Sequence, residues 1–333
     1  MRVKYEDMKQ EFKRVLESRG FDAENAEAAA TVFAQNSLDG IYSHGLNRFP
    51  WVVSRLDEGM MNPKLEPTCE INFGAIERWN GHQGFGPLNA KKAMNRACEL
   101  AKEFGVGIVA LGNNNHWMRG GSYGRQAAEA GCIAICWSNT TPNMPAWGAK
   151  DARIGNNPLV LAVPRRNGNH VVVDCAMSQF SYGKMEETRL KKEQLPVLGG
   201  YNKAGVLSTD PTEIEESSRV LPMGYWKGSG LSILLDLIGT TLTNGNSTRQ
   251  VGEFGCEIGL TQIMIAIDAS KFNTQSEIDA IAESLIADLK LSEPIEVGGD
   301  IRYPGEREFK VRQENLEFGI PVIEEKWEEV QAF

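Results

Sequence analysis

The chain has 333 residues, of which 41% are hydrophobic and 24% are charged. This composition is typical of a globular protein with a substantial core, so extensive disorder is excluded, and the length allows one large or two modest domains. The formal net charge of -9 argues against non-specific binding to nucleic acid or to an anionic membrane. An anionic small molecule therefore needs a local pocket of Arg or Lys side chains.

The start of the chain and its cysteines indicate a cytoplasmic protein. The opening residues, MRVKYEDMKQEFKRVL, lack the apolar stretch of a secretory signal, and no segment approaches the length of a membrane span. The six cysteines have apolar neighbours, which is typical of reduced thiols in a core. Cys132 and Cys136 lie about 13 Å apart if CIAICW is a strand, too far to share one ion, so no metal site is expected.

The first predicted segment, residues 1–70, is helical. Apolar residues recur at helical spacing before Gly20, at Met8, Phe12, Val15 and Leu16. A second helix begins after Asp22, which can cap it, and ends near Gly40. A third helix is predicted to begin at Ser43, with an apolar stripe formed by Phe49, Val52, Val53 and Leu56.

The second segment, residues 71–305, alternates between strands and helices. Helices at about 89–103 and 121–129 precede the strands GVGIVAL and CIAICW. The strands NPLVLAVP and NHVVVD flank RRNGN, whose Asn-Gly favours an antiparallel hairpin. A loop-rich excursion is expected at about 183–222. An apolar helix from GYWKGSG, the strand TQIMIAID and a helix at about 275–289 follow it.

Two short helices, near 306–316 and 321–331, are predicted to close the chain in a third segment, residues 306–333. The layout is an α/β fold with mixed strand directions and a helical layer, since the elements do not form a regular βαβ series.

The common nucleotide-binding loops are absent from the sequence. GVGIVA, from Gly105 to Ala110, matches G-x-G-x-x-A, but it follows a helix and enters a strand. A dinucleotide fingerprint needs the order strand, turn, helix, so that the helix N-terminus faces the pyrophosphate. We therefore reject a Rossmann site. A better anion site is WKGSG, where Trp226 offers a stacking surface and Lys227 a charge at the start of a helix. A glycine-rich helix start with an exposed lysine explains the same residues.

Two histidines have polar neighbours suited to catalysis. His116, in NNNHWMRGGSYG, follows a predicted strand, although a polar loop histidine is usually only a hydrogen-bonding residue. His44 lies four residues before Arg48, so in a helix beginning at Ser43 a titratable imidazole and a permanent cation share one face. A histidine at a helix start beside a surface arginine is the alternative.

Six ordered motifs resemble the malate/L-lactate dehydrogenase family of nicotinamide oxidoreductases, which lack the Rossmann fold. They are YSHGLNRFP, NNNHWMRGGSYG, WGAKDARIGNNPLVLAVP, VVVDCAMSQFSYGK, LPMGYWKGSGLSILLD and IRYPGER. The resemblance runs along essentially the whole chain. It implies a homodimer and a mixed, mostly antiparallel nucleotide-binding sheet, with a layer of N-terminal and C-terminal helices.

The resemblance also implies site residues. His44 corresponds to the proton donor, and His116 is the second choice for that role. Arg48 corresponds to the partner of the substrate carboxylate, with Ser43 and His116 as further substrate-binding residues. The implied cofactor-binding residues are His170, Val171, Val172, Val173, Asp174, Cys175, Ala176, Trp226, Lys227, Gly305, Glu306 and Arg307.

The activity that the resemblance implies is reduction of a small anionic 2-oxo acid by NADH. The expected substrate is 2,3-diketo-L-gulonate and the expected product is 3-dehydro-L-gulonate, with NAD(H) as cofactor and NADP(H) as the alternative. Oxaloacetate, pyruvate or a cyclic imine acid are alternative substrates. A binding module without catalytic activity is the remaining alternative, and it predicts that NADH does not quench the tryptophan fluorescence.

Overall fold

The computed structural model describes residues 1–333, apart from the side chain of Asn167. The α-helices in chain order are α1 Tyr5–Glu17, α2 Ala23–Leu38, α3 Phe49–Asp57, α4 Gly86–Phe104, α5 Gly121–Glu129, α6 Tyr182–Leu190, α7 Pro211–Ser217, α8 Trp226–Thr243, α9 Thr248–Glu253, α10 Gln275–Lys290, α11 Glu306–Phe318 and α12 Glu324–Ala332. Short 3-10 turns span Tyr42–His44, Leu46–Arg48, Arg166–Gly168 and Ala269–Lys271. Within this described part, each helix is too short or too polar to cross a membrane.

The strands are β1 Arg2–Val3, β2 Thr68–Phe73, β3 Ile76–Asn80, β4 Val106–Asn114, β5 Cys132–Ser138, β6 Met144–Pro145, β7 Ala152–Ile154, β8 Leu159–Val163, β9 Val171–Cys175, β10 Gly200–Tyr201, β11 Leu207–Ser208, β12 Leu260–Asp268 and β13 Ile320–Pro321. Seven of them form the main sheet, in the order β2-β3-β4-β12-β5-β8-β9. β3 and β4 are parallel, and the other neighbours are antiparallel. The predicted mixed, mostly antiparallel sheet is confirmed.

Helices cover both faces of this sheet, because successive side chains of a strand point to opposite sides. On one face, Val109 and Leu111 of β4 share a core with α4 and α5. On the other face, Ile108 and Ala110 of the same strand join a core with Leu235 of α8. The central strands of the sheet are therefore buried on both sides.

The N-terminal helices share a second core with the end of the chain. β1 pairs with β13, and Phe12 of α1 stacks on Phe49 of α3 at 4.2 Å between ring centroids. Trp327 and Val330 of α12 belong to the same buried cluster. This layer carries the segment that contains His44.

One sequence prediction about local structure is wrong. A helix does not begin at Ser43, because the two 3-10 turns around Gly45 precede α3, which begins at Phe49. The segment 183–222 contains α7, the β10–β11 hairpin and all but the first residue of α6, which are joined by loops. α6 was hard to predict because its buried residues are only Met185 and Thr188, too few for an apolar stripe.

Candidate active site

The candidate site lies at one edge of the main sheet, where β4 ends and β12 begins. These strands are antiparallel, and Asn114 at the end of β4 pairs with Leu260 at the start of β12. His116 follows β4, and Glu257 precedes β12. The sheet topology thus brings together two residues that are 141 positions apart in the sequence.

The asparagines that precede His116 hold its loop in place. The Asn114 amide donates to Oε1 of Gln262 at 2.8 Å and accepts from Nδ2 of Asn89 at 2.9 Å. Nδ2 of Asn115 donates to the carbonyl oxygens of Gln83 at 2.7 Å and Gly84 at 2.9 Å. Asn114 and Asn115 are fully buried. A buried polar network of this kind fixes a loop in one conformation.

The His44 segment is held against α2. Nδ2 of Asn36 donates to the His44 carbonyl oxygen at 2.9 Å, and the backbone N–H of Leu46 donates to Oγ of Ser37 at 2.9 Å. Gly45 lies so close to α2 that a Cβ atom there would be 2.2 Å from the Ser37 Oγ and 2.8 Å from its backbone nitrogen. Glycine after His44 therefore permits the close approach of the turn to the helix.

Gly45→Ala is expected to lower the free energy of unfolding by about 1–3 kcal/mol, the usual cost of overpacking a buried contact. Urea denaturation followed by circular dichroism measures the change. Gly230→Ala is the matched control, because a Cβ at Gly230 in α8 meets open space. The control is expected to keep or slightly raise stability, since alanine favours helix over glycine. Equal stability of Gly45→Ala and the wild type would contradict the close approach.

His44, His116 and Arg48 lie close together in the structure. The two imidazole rings are nearly parallel, with centroids 6.0 Å apart and an interplanar angle of 14°. The Arg48 guanidinium lies over the Trp51 ring at 3.9 Å, and its charge lowers the pKa of both histidines. Arg48 reaches this position from the second 3-10 turn and not from a helix.

Burial largely controls the charges in this pocket. It lowers the pKa of His44 to about 3, and the charges of His116, Arg48 and Arg119 act in the same direction. Burial and the Arg48 cation likewise lower the pKa of His116 to about 3. Both imidazoles are therefore neutral at pH 7 in the unliganded protein.

Arg48 and Glu257 supply the opposite charges of the pocket. Burial lowers the pKa of Arg48, while the carboxylates of Glu257 and Glu186 raise it. Burial raises the pKa of Glu257, against the Arg48 cation and the Thr141 backbone N–H, which lower it. A guanidinium in a partly dry pocket is a strong binding group for a carboxylate ligand.

The hydrogen bonds of the two histidines differ. Nδ1 of His116 accepts from the backbone N–H of Met118 at 2.9 Å, so its ring carries the proton on Nε2 and would lose this bond on becoming an imidazolium. Nδ1 of His44 lies 3.2 Å from the Ser43 hydroxyl, which can either donate or accept. His44 can therefore change its protonation state without breaking a backbone contact, and His116 cannot.

An ion-pair network ties the two histidine loops together. The Asp39 carboxylate, at the end of α2, accepts from Arg119 at 2.6 Å and from Arg312 of α11 at 2.7 Å. Arg119 follows His116 by three residues, and Asp39 precedes His44 by five. The network thus connects the His44 loop, the His116 loop and α11.

Glu257 and Asp39 were not predicted from the sequence. Glu257 lies in the loop GCEIGL directly before the predicted strand TQIMIAID, so a polar residue at a strand end was the available signal. Asp39 offered no comparable signal, because its partners are distant in sequence.

The cofactor-binding residues predicted at 170–176 and 305–307 lie together along the outer edge of the main sheet. β9 is its last strand, and the Val172 N–H donates to the Pro304 carbonyl at 3.1 Å. A Cβ at Gly305 would be 3.0 Å from the His170 carbonyl oxygen, so glycine lets this loop reach the strand backbone. The backbone N–H and C=O of Asp174, two residues after Val172, point to the same edge. This exposed strand edge, beside the buried Nε2 of His170, suits an extended polar ligand such as a dinucleotide.

The predicted residues Trp226 and Lys227 begin α8, beyond the other end of β9. The Met223 N–H donates to the Met177 carbonyl at 2.8 Å, which joins the loop before α8 to the residues after β9. The Trp226 and Lys227 side chains are exposed. An aromatic face and a cation at a helix N-terminus fit a nucleotide that carries phosphates.

Two of the predicted cofactor residues have carboxylates engaged elsewhere. Asp174 accepts from the Gly121 N–H at the start of α5 at 2.7 Å. Glu306 accepts from Lys290 at 2.6 Å and pairs with Lys310 at 2.9 Å. Both carboxylates are thus already paired within the protein. Arg307 lies close enough to Lys191, the residue after α6, to lower the pKa of Lys191, although hydrogen bonding to Glu187 raises that pKa overall.

Asn156 connects the histidine pocket to the β9 edge. Its side-chain oxygen accepts from Asn143 at 3.0 Å and from Thr140 at 3.2 Å, in the loop that also contains Thr141 beside Glu257. Its carbonyl oxygen accepts from the Met177 N–H at 2.7 Å. The histidine pocket and the β9 edge thus share one loop framework.

A separate cavity of about 690 Å³ lies between α10 and one end of the sheet. Its lining is apolar and includes Ile267, Ile278, Leu285 and Tyr303. These side chains offer no cation for an acid and no proton donor near neutral pH, so the cavity is not a candidate for the reaction.

Comparison with known proteins gives full-length similarity. The malate/L-lactate dehydrogenase family matches residues 3–331. The 2,3-diketo-L-gulonate reductases of Citrobacter koseri and Klebsiella pneumoniae are 46% identical over 333 residues, with 100% of both chains covered. Malate dehydrogenase from Entamoeba histolytica superposes with a TM-score of 0.93 at 26% identity, covering 100% of this chain and 96% of that one. Sulfolactate dehydrogenase from Methanocaldococcus jannaschii gives 0.88 at 30% identity, with 100% and 96% covered.

Proposed function

The chain belongs to the malate/L-lactate dehydrogenase family, and on this premise we propose that it reduces 2,3-diketo-L-gulonate to 3-dehydro-L-gulonate with NADH. More broadly, the chain is an oxidoreductase that acts on a 2-oxo acid or a hydroxy acid. The full-length 2,3-diketo-L-gulonate reductases support the substrate. One observation supports the chemistry: Arg48 and the stacked imidazoles of His44 and His116 face one pocket, where only His44 is free to change protonation state.

Each residue has a separate task in the proposed reaction. Arg48 binds the C1 carboxylate of the substrate through its guanidinium. Residues 170–176 and 305–307 would hold the nicotinamide cofactor, which would supply the hydride for reduction at C2. His44, with Nδ1 at the Ser43 hydroxyl, donates the proton from Nε2 to the C2 oxygen, where negative charge develops.

The charges of the pocket explain how His44 becomes an acid. When both imidazoles are neutral, the positive charge of Arg48 and the negative charge of an ionised Glu257 cancel. An anionic substrate adds one negative charge, which favours the imidazolium form of His44. Substrate binding is therefore coupled to uptake of one proton by the protein.

A substrate panel tests the proposed function. The purified protein is assayed for oxidation of NADH and of NADPH with 2,3-diketo-L-gulonate, oxaloacetate, pyruvate and a cyclic imine acid. The highest kcat/KM is expected with 2,3-diketo-L-gulonate and NADH. A higher kcat/KM with another acid would identify that acid as the substrate in place of 2,3-diketo-L-gulonate. Absence of turnover with every acid would overturn the enzymatic proposal.

Lys227 is proposed to contact a cofactor phosphate from the start of α8. Lys227→Ala is expected to raise the Kd for NADH by up to ~10-fold, since one charge-assisted hydrogen bond contributes about 1.5 kcal/mol. Quenching of tryptophan fluorescence measures the Kd. Lys271→Ala, at an exposed lysine on the 269–271 turn, serves as the control and is expected to leave the Kd unchanged. Equal Kd values for both variants would contradict the phosphate contact.

We propose that the protein is a homodimer and that α8 contributes to its interface. α8 carries a row of exposed apolar side chains, with Leu231, Leu234, Leu237, Ile238 and Leu242 each at least 40% exposed. A contiguous apolar helix face of this kind is unusual on a monomer and typical of subunit contacts.

Leu237→Glu is expected to convert the dimer to a monomer, because it places a charge at the centre of the apolar row. Sedimentation velocity measures the mass. Phe104→Glu, at an apolar residue of similar exposure at the end of α4, is expected to leave the dimer intact. If Leu237→Glu still forms a dimer at micromolar concentration, the subunit interface does not include this face of α8.

A further inference from the structure

Glu257 and His116 are separated by a gap that suits one further atom. Nε2 of His116 lies 3.9 Å from Oε2 of Glu257, which is too long for a direct hydrogen bond. One oxygen atom placed beside both fits within about 2.8 Å of each. The two side chains are only 13% and 19% exposed, so the gap between them is largely shielded from solvent.

The two groups demand opposite hydrogen-bonding roles from that oxygen. Because Nδ1 of His116 accepts from Met118, Nε2 carries the hydrogen and must donate. In its ionised form, which the Arg48 cation favours, the Glu257 carboxylate must accept. A hydroxyl group accepts one hydrogen bond and donates another, whereas a carbonyl or carboxylate oxygen only accepts and would be repelled by Glu257. The gap is therefore selective for a hydroxyl.

Neighbouring groups place this gap within the substrate pocket. The Arg48 charge acts on both Glu257 and His116, and the His44 ring stacks beside His116 at 6.0 Å. A molecule whose carboxylate binds Arg48 and whose oxo group faces His44 thus has its carbon chain near the Glu257 carboxylate.

Resting on the proposed function, we propose that Glu257 is a specificity residue. Its carboxylate and the Nε2–H of His116 together bind a hydroxyl on the carbon chain of the substrate. The enzyme then prefers hydroxylated 2-oxo acids, such as sugar acids, to 2-oxo acids without a hydroxyl.

The preference has a predictable size. A hydrogen bond to a charged group changes affinity by about 10- to 100-fold when it is lost. When the bound acid has no hydroxyl, no atom bridges the Glu257 carboxylate and the Nε2–H of His116. Such an acid therefore binds more weakly, and the difference between the two acids appears mainly in KM.

4-Hydroxy-2-oxobutanoate and 2-oxobutanoate form a matched pair that differs by one hydroxyl, at C4, the first carbon of the proposed substrate that carries a hydroxyl. Each is used as a competitive ligand against the best 2-oxo acid of the substrate panel, with NADH as cofactor, and the two inhibition constants are compared. Wild type is expected to bind 4-hydroxy-2-oxobutanoate at least ~10-fold more tightly, and Glu257→Gln is expected to bring the ratio below ~3. A ratio of constants from one preparation does not depend on its folded fraction.

Glu186→Gln is the control variant. Glu186 also acts on the charge of Arg48, but from the exposed side of α6, so its loss is expected to leave the ratio unchanged. If Glu257→Gln does not fold, Glu257→Asp keeps the charge, shortens the side chain and is expected to lower the ratio at least threefold.

A wild-type ratio near one, or a ratio that Glu257→Gln leaves unchanged, would overturn the assignment of Glu257. Turnover of a 2-oxo acid in the same assays would still stand, so the failure of this assignment is distinct from failure of the proposed function.

Discussion

His44→Ala is expected to lower kcat for reduction by about 10²- to 10⁴-fold, the usual contribution of a positioned general acid. The proton that the C2 oxygen needs must come from a group that can be charged in the complex. His44 meets this condition, because its Nδ1 faces the Ser43 hydroxyl, whereas Nδ1 of His116 is committed to the Met118 N–H. The measurement is single-turnover reduction monitored through NADH absorbance, together with the Kd for NADH, which is expected to stay unchanged.

His82→Ala is the matched histidine control for this experiment. Nε2 of His82 lies 2.7 Å from the Thr68 hydroxyl, outside the pocket, and its loss is expected to leave kcat unchanged. His116→Ala is expected to raise KM more than it lowers kcat. If His116→Ala alone abolished turnover while NADH still bound, the proton donor would be His116.

The same assignment predicts the pH dependence of the reaction. Burial lowers the pKa of His44 to about 3, so the fraction of free enzyme that carries the proton falls as pH rises above that value. kcat/KM for reduction is therefore expected to decrease between pH 5 and 8. In His44→Ala this dependence should be lost, and a rate that rises with pH in the wild type would be inconsistent with His44 as the acid.

Asp39→Ala is expected to lower the free energy of unfolding by about 3–5 kcal/mol, the range found when one partner of a buried ion pair is removed. Asp39 is 4% exposed and binds Arg119 and Arg312 at 2.6 and 2.7 Å, with Arg125 at 3.7 Å. Its removal leaves three guanidinium groups close together with less compensating charge. Urea denaturation monitored by tryptophan fluorescence measures the loss.

Asp151→Ala gives the comparison for this variant. Asp151 pairs with Arg153 at 2.6 Å, but both side chains are more than half exposed. Its denaturation midpoint is expected to match that of the wild type, because solvent screens exposed pairs. Equal midpoints for the Asp39 and Asp151 variants would show that the Asp39 network does not stabilise the fold.

The Asp39 network also bears on catalysis, because it joins the loops that carry His44 and His116. Asp39→Asn keeps the shape of the side chain and removes its charge. This variant is expected to fold with a smaller loss of stability than Asp39→Ala. It is also expected to lower kcat/KM, because the loops that carry the two imidazoles are then held less firmly. Activity thus reports the positioning role separately from stability.

Several periodic elements were predictable from the sequence. α5 spans Gly121–Glu129 as predicted, and α2 begins after Asp22, whose side chain accepts from the Asn25 N–H at 2.8 Å. Strands β2 and β3 were not predicted, although TCEINF alternates apolar and polar residues; β2 is exposed along its whole length and has no buried face. Local sequence predicts an element well when its buried face repeats with the period of that element.

From the sequence alone, His44, Arg48 and His116 were the candidates for the site, since they stand out by residue type and neighbours. The sequence also excluded the Rossmann arrangement, because GVGIVA enters a strand. Only the tertiary structure decided which histidine is free to ionise, through the Met118 N–H, and which carboxylate completes the pocket. The physical reason is that a protonation state depends on burial and on hydrogen-bond partners from other segments. Glu257 reaches His116 only because β4 and β12 are antiparallel neighbours in the sheet.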